Sequence, residues 1–213
     1  MKKKKKLSRP CSPRSALEGV DRAVRYVFHE GLAPLMEPLG YELDGAILRR
    51  YCGSESVCLL QLLEGKENQA ETGSLTLELG VHYPVVAASI LEIPAYSYLK
   101  DYLDPPQLAV CPLRIRLGEL WKGADFWWRI DPGTNLKLLT EQLTVAVLET
   151  ALPWFMQRQS WRFLLESEHG IASLAAWKLA VGAHDESFRA RLQTFLESEK
   201  DGSRKSQLRR WSG

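Results

Sequence analysis

Residues 56–83 read SVCLLQLLEGKENQAETGSLTLELGVHY, and this stretch decides the fold. In residues 74–83, large apolar side chains alternate with polar or small ones, a pattern that predicts a strand with one buried face. Residues 56–63 are apolar on both faces, which predicts a central strand that is covered on each side. The outward-facing set of the 74–83 strand is then Ser74, Thr76, Glu78, Gly80 and His82.

Three further strands are predicted around this pair, at residues 46–52, 113–118 and 126–130. Successive strands are joined by segments without crossover helices, which indicates antiparallel pairing. A proline-rich stretch after residue 83 is interpreted as a connection. We therefore expect an α+β fold: an antiparallel β-sheet of about four or five strands, with an N-terminal helix and a C-terminal helical layer.

Helices are predicted on both sides of the strand region. Residues 16–39 show helical apolar spacing, with Gly40 as the C-terminal cap, and Pro34 and Pro38 predict a kink or an early stop near Ala33. A second helix is predicted from Thr134 to about Thr150, where Pro153 breaks it. Its predicted buried stripe comprises Leu136, Leu139, Leu143, Val147 and Leu148. Shorter helices are predicted at residues 154–166, 170–181 and 185–199.

Composition and charge predict a cytoplasmic globular protein with basic ends. The 213 residues are 45% hydrophobic and 25% charged, which excludes a fibrous or wholly disordered protein. No apolar run reaches the roughly 18–20 residues of a membrane span, and no secretory signal follows the basic N-terminus. Residues 1–14 hold seven basic residues and residues 203–213 hold four, whereas residues 15–202 hold 17 basic and 26 acidic residues.

This layout predicts four parts of the chain. Residues 1–14 and 203–213 are expected to be disordered basic tails, since blocks of like charge repel and stay solvated. Residues 15–155 form the α+β domain, and residues 156–202 form a helical extension packed on it. The tails are interpreted as solubilising segments, as segments that fold back on the acidic body, or as a weak contact with nucleic acid or another anionic surface.

The sequence holds no strong motif for catalysis, metal binding or a cofactor. Cys11, Cys52, Cys58 and Cys111 form no Cys-x-x-Cys pair, which favours a reduced cytosolic setting. Glycine-rich phosphate loops, the zinc-protease helix motif and the Gly-x-Ser-x-Gly elbow are missing from the sequence. We therefore predict no catalytic residue, no cofactor and no metal ligand.

Three segments resemble a bacterial family catalogued as domain of unknown function 4304. The first is Leu35-Met-Glu-Pro-Leu-Gly40-Tyr41 followed by Arg49-Arg50-Tyr51, and the second is Leu75-Thr-Leu-Glu-Leu-Gly80-Val81. The third and most specific is Cys111-Pro-Leu-Arg114-Ile-Arg116-Leu-Gly-Glu-Leu with Asp125-Phe-Trp127-Trp128-Arg. The resemblance spans about residues 28–154. It implies an α+β domain, and it implies no catalytic residue because the family carries no established activity.

Six residues are candidates for a binding surface. Arg114 and Arg116 are expected to share a sheet face with Glu78 and His82, where two guanidinium groups can bind a carboxylate or phosphate, or can pair with Glu78 across strands. Trp127 and Trp128 point to opposite faces of a strand. One is expected in the core, and the other lies either on the surface as a partner anchor or beneath the C-terminal helices. Asp125 is interpreted as a turn cap.

Three functions follow as hypotheses. The leading one is a non-enzymatic protein-interaction module, for example an immunity-like protein whose acidic body blocks a basic toxin or nuclease. The second is an uncharacterised enzyme or anion-binding protein with its site on the arginine-rich sheet face. The third is weak nucleic-acid association through the basic tails. The sequence does not define the oligomeric state.

Overall fold

The computed structural model describes residues 18–91, 101–170 and 172–173. Six strands form one antiparallel sheet in the order β1-β2-β3-β4-β5, and β6 also pairs with β4. This confirms the predicted α+β fold, which combines the sheet with an N-terminal helix and C-terminal helices. The strands are β1 (Glu42–Asp44), β2 (Ile47–Cys52), β3 (Ser56–Glu64), β4 (Gly73–His82), β5 (Leu113–Arg116) and β6 (Trp128–Ile130).

Strands β3 and β4 form the centre of the sheet, as their sequence predicts. Leu60 faces Leu79 and Leu62 faces Leu77 in the register of this pair, so both strands direct leucines to the same face. These leucines belong to the main hydrophobic core, which the helices cover. Because β3 also pairs with β2, its predicted central position is confirmed.

The N-terminal helical run continues past both of its prolines. It comprises α1 (Glu18–Arg25), a π-helical turn at Tyr26–Leu32, α2 (Ala33–Met36) and a 3-10 turn at Glu37–Leu39. The Ala33 amide donates to the Phe28 carbonyl, five residues back, immediately before Pro34. This wider turn accommodates a proline that lacks an amide donor, so the predicted stop near Ala33 is wrong. Gly40, at a φ of 82°, caps the run as predicted.

The second long helix also accommodates its proline through a π-helical turn. It comprises α5 (Leu136–Ala146), a π-helical turn at Val147–Ala151 and α6 (Leu152–Met156). The Leu152 amide donates to the Val147 carbonyl just before Pro153, so the predicted break is wrong. The buried face runs through Val147 and Ala151, whereas Leu148, predicted to be buried, is exposed.

The proline-rich connection covers part of the second sheet face. It contains α3 (Pro84–Leu91) and a 3-10 turn at Leu108–Val110. Leu108 and Cys111 pack against Val57 and Leu59 in a small second core. The expectation that the whole polar face of the 74–83 strand points to solvent is therefore wrong. Thr76 and His82 are buried, and of the predicted outward set only Ser74 and Glu78 are partly exposed.

A buried arginine ties this covering segment to the sheet. The Arg49 Nε donates to the Pro106 carbonyl oxygen at 2.9 Å, and its Nη1 lies 2.6 Å from the Asp44 carboxylate. The bond joins β2 to a chain segment 57 residues away. Arg49 thereby links the sheet to the segment that forms the second core.

Several element boundaries differ from those predicted. The strand predicted at residues 126–130 forms only as β6, from Trp128. The strand predicted at residues 113–118 ends at Arg116, where α4 (Leu117–Lys122) begins. The helix predicted at residues 154–166 divides into the end of α6 and α7 (Phe163–Glu166). Trp161 and Leu164 belong to the same core as the strands. The predicted tails at 1–14 and 203–213 lie outside the described residues, as do nearly all of the predicted helices at 170–181 and 185–199.

Candidate functional site

Arg114 and Glu78 meet on adjacent strands. Their side chains are diagonal neighbours, since Glu78 stands opposite Arg116 and Arg114 stands opposite Gly80 in the β4–β5 register. The Arg114 Nε and Nη2 both donate to Glu78 Oε1, at 2.9 and 2.7 Å. The pair is partly exposed, so it contributes at most about 1 kcal/mol to stability.

Arg116 pairs with Asp125 and lies against Trp127. The Arg116 Nη1 donates to Asp125 Oδ2 at 2.6 Å, and the Trp127 Nε1 donates to Asp125 Oδ1 at 3.0 Å. The Arg116 guanidinium carbon lies 5.7 Å from the centre of the Trp127 ring. The hydrogen bond to Asp125 raises the pKa of Arg116 further above its ordinary value. One carboxylate thus fixes the orientation of both a guanidinium and an indole ring.

A close backbone contact brings Asp125 to Arg116. Gly118 in α4 lies against the backbone of Phe126, and a Cβ at position 118 would clash with the Phe126 carbonyl oxygen. The chain therefore folds back on itself directly after β5. This return places Asp125 beside Arg116, nine residues earlier, although the sequence indicated only a turn cap at Asp125.

His82 and Trp128 do not join this surface. His82 is 3% exposed, and burial lowers its pKa to about 4, against the opposing effect of a backbone hydrogen bond with Val110. Trp128 is 2% exposed and stacks on Trp121, with ring centres 5.5 Å apart. Of the six candidate residues, the structure places four on the surface: Glu78, Arg114, Arg116 and Trp127.

An open groove of about 390 Å³ continues from Trp127 to α5. Phe126 and Trp127 form one wall, Leu138 of α5 forms the other, and Arg129 and Gln142 add polar groups. Leu138 is 51% exposed, although it belongs to an otherwise amphipathic helix. We call this feature, from Phe126 to Gln142, the aromatic groove.

A tight turn holds the two walls of the aromatic groove together. Asp131 Oδ1 accepts hydrogen bonds from the Gly133 amide and the Thr134 hydroxyl, at 2.9 and 3.1 Å. Asn135 then caps α5, because its side-chain oxygen accepts a hydrogen bond from the Leu138 amide at 3.1 Å. Both walls are therefore fixed by local hydrogen bonds that the Asp131–Asn135 sequence itself encodes.

A second polar cluster lies at the turn end of the β2–β3 hairpin. Cys52 stands opposite Ser56 and Arg50 stands opposite Cys58, so all four side chains share one sheet face. The two sulfur atoms are 3.7 Å apart. We call these four residues the cysteine hairpin. The sequence signal for this pairing is two cysteines on either side of the short segment that joins two successive strands.

The cysteine hairpin favours a thiolate at Cys52. A hydrogen bond from Cys58 holds the pKa of Cys52 well below its ordinary value, against the opposing effect of burial, and Arg50 and Ser56 lower it further. The same hydrogen bond and burial raise the pKa of Cys58. Cys52 is partly exposed, whereas Cys58 is buried. The more accessible sulfur is therefore also the more nucleophilic one.

Within residues 18–91, 101–170 and 172–173, no three histidine, cysteine or carboxylate side chains cluster closely enough to hold a metal ion. In the same ranges, no helix has both the length and the apolar character needed to cross a bilayer.

The fold and site define an antiparallel α+β domain with an aromatic and charged surface at one sheet edge. Comparison with known protein families identifies the family of this domain. The chain belongs to the family described as Domain of unknown function (DUF4304), whose model matches residues 32–157. These limits enclose the whole sheet, the aromatic groove and the cysteine hairpin. No curated protein matches the chain, and neither does any solved structure.

Proposed function

We propose that this domain is a non-enzymatic protein-interaction module whose contact surface is the aromatic groove. The observation that carries the proposal is the position of Trp127, a half-buried indole oriented by Asp125 and Arg116 at the edge of an open apolar groove. Tryptophan and arginine are enriched among the residues that dominate binding energies at protein interfaces.

The groove has the arrangement of an interface patch. Apolar side chains of Phe126 and Leu138 lie at its walls, and Arg129, Asn135 and Gln142 supply hydrogen-bonding groups around them. An apolar centre with a polar rim is typical of protein interfaces. Because the Trp127 ring is already held in place, binding a partner costs little of this side chain's conformational entropy.

The charge of the domain favours a basic partner. Residues 32–157 hold nine basic and 16 acidic residues, a net charge of −7. Complementary charge raises association rates and excludes partners of like charge. We therefore propose a basic protein as the partner, in the manner of an immunity protein that neutralises a basic toxin or nuclease, with the bacterial cytoplasm as the setting.

The other two hypotheses have less support. Arg114 and Arg116 are both paired with carboxylates, so an anion would have to compete with Glu78 and Asp125 for them. This weakens the proposal of an enzyme or anion site on the sheet face. Nucleic-acid association rests on tails that lie outside the described residues, and it stays a prediction.

The test is a nuclease-treated pull-down with the full-length chain and single variants. Trp127→Ala and Leu138→Glu remove the apolar contacts of the groove, and Tyr51→Ala is the matched control, since it removes an exposed aromatic side chain from β2. We expect a stoichiometric basic protein that is retained by the wild type and the control and lost, at least tenfold, with both groove variants. Retention that is equal in all four chains would contradict the groove as the contact surface.

A further inference from the structure

The cysteine hairpin carries a second, independent inference. Cys52 and Cys58 face the same side of the sheet on paired strands, and their sulfur atoms lie within 3.7 Å before any change in the backbone. Closing a disulfide requires a separation of about 2.05 Å. Rotation of the two side chains and a small shift of the adjoining turn, Gly53–Glu55, supply that movement.

We propose that Cys52 and Cys58 form a reversible intramolecular disulfide when the protein meets a hydroperoxide. The oxidant is hydrogen peroxide or an organic hydroperoxide. The site is thus a modification site within the family domain, distinct from the aromatic groove and independent of its proposed function.

The reaction balances within the two thiols and one peroxide. The Cys52 thiolate attacks the terminal peroxide oxygen, the O–O bond breaks, and the leaving oxygen takes up a proton and departs as water from hydrogen peroxide or as the alcohol from an organic hydroperoxide. Cys52 is then a sulfenic acid. The Cys58 sulfur attacks the Cys52 sulfur, the S–O bond breaks, and the hydroxyl leaves as water with the Cys58 proton. Two thiols are oxidised by two electrons in total, and the peroxide is reduced.

The surroundings support this order of events. Only Cys52 of the pair is partly exposed, so the peroxide reaches it first. Ser56 is fully buried and faces Cys52, and the Ser56 hydroxyl favours the thiolate form of Cys52. Among the described residues, that hydroxyl has no well-formed hydrogen bond. The other groups around the pair are Arg50, Tyr41, Tyr83 and Cys111. Arg50 favours the thiolates, and burial raises the pKa values of Tyr41, Tyr83 and Cys111, which keeps them neutral.

The strand register predicts that the bond is easily reduced. Cys52 and Cys58 are diagonal rather than directly opposite, and diagonal positions on antiparallel strands lie about 7–8 Å apart between Cα atoms. Unstrained disulfides span about 4.4–6.8 Å between Cα atoms. The bridge therefore pulls the strands together, and strained, partly exposed disulfides are the labile ones. This reversibility is what a regulatory modification needs.

The experiment treats the full-length protein with hydrogen peroxide and maps thiols by peptide mass spectrometry without reduction. We expect a Cys52–Cys58 linkage that dithiothreitol reverses and that Cys52→Ser abolishes. In Cys58→Ser, which keeps a hydrogen-bond donor beside Cys52 but cannot form the disulfide, Cys52 should stop at the sulfenic acid, which dimedone labels. Cys111, which is buried, should stay reduced in all forms and serves as the internal reference.

A second measurement does not depend on the variants folding. Iodoacetamide labelling of the reduced wild type, followed over pH, should show Cys52 reacting at lower pH than free glutathione, because the thiolate form is favoured there. The proposal is overturned if peroxide leaves Cys52 and Cys58 unlinked while free glutathione in the same tube is oxidised. It is also overturned if Cys52 labels no earlier in pH than glutathione.

Discussion

Replacing Arg49 with methionine tests what holds the covering segment on the sheet. Arg49 is 5% exposed, and it is the link between β2 and the Pro106 carbonyl oxygen. Methionine has a similar length and fits an apolar setting, but it donates no hydrogen bond. The change therefore removes two polar contacts while much of the packing volume is kept.

The expected loss of stability follows from those two polar contacts. A buried carbonyl left without its donor costs about 1–3 kcal/mol. The ion pair with Asp44, whose side chain is 66% exposed, adds at most about 1 kcal/mol. We expect Arg49→Met to lower the free energy of unfolding by about 1–4 kcal/mol in total, which corresponds to a fall in Tm of about 2–16 °C for a chain of this size.

Urea unfolding of the wild type, Arg49→Met and Asp44→Asn measures this directly. Asp44→Asn removes the ion pair and leaves the Pro106 hydrogen bond, so it should cost no more than about 1 kcal/mol. Limited proteolysis adds a local readout, since Arg49→Met should admit cleavage within residues 101–112. If Arg49→Met and Asp44→Asn unfold at the same urea concentration, the buried hydrogen bond does not hold the segment and the reasoning fails.

Two further predictions concern helix packing and pH. A Cβ at Gly31 would clash with the Thr140 side chain, so Gly31→Ala should lower the free energy of unfolding in urea by about 1–3 kcal/mol. Adding Thr140→Ala should recover most of that loss, and no recovery would mean that the strain lies elsewhere. Burial lowers the pKa of His82 to about 4, so the unfolded chain binds a proton between about pH 6.5 and 4 that the folded chain excludes. Stability should fall over that range by up to about 3 kcal/mol, and an unchanged slope in His82→Gln would refute this origin.

The centre of the fold could be predicted because its pattern depends on local sequence alone. The alternation from Leu75 to Val81 fixes one buried face, and the apolar run in β3 requires cover on both sides. The end of β5 could not be read in the same way. Leu117 continues the alternation of Leu113 and Ile115, but it is the first residue of α4, and its burial satisfies both patterns.

The errors on the second sheet face arise from a segment without periodicity. Thr76 and His82 are polar, and polar residues alternating with leucines usually face solvent. His82 is buried because the chain around Leu108 and Cys111, held by Arg49, folds over that end of the strand. Thr76 is covered instead by the chain at Phe126, whose carbonyl oxygen accepts a hydrogen bond from the Thr76 hydroxyl. Nothing in the spacing of that proline-rich segment indicates where it packs.

The candidate surface was predictable in its residue types and only partly in its geometry. Arg116 and Glu78 were expected on one sheet face, and the sequence left open whether Trp127 or Trp128 is the exposed indole. The structure places Trp127 at the surface, beside Arg116. The roles of Asp125 and Leu138 were missed. Asp125 reaches Arg116 only because α4 returns the chain, and Leu138 is apolar in a helix whose other leucines supply the core.

In the helices that contain Pro34 and Pro153, the π-helical turns change the number of residues in the helix without changing which face the later side chains occupy. A π turn takes up one residue more than an α turn without rotating the helix that follows. A relative that lacks the proline can omit that residue and still direct its equivalents of Met36 or Phe155 into the core. An alignment of the family that penalises a single-residue gap inside a helix would therefore pair the wrong faces over everything upstream of each proline.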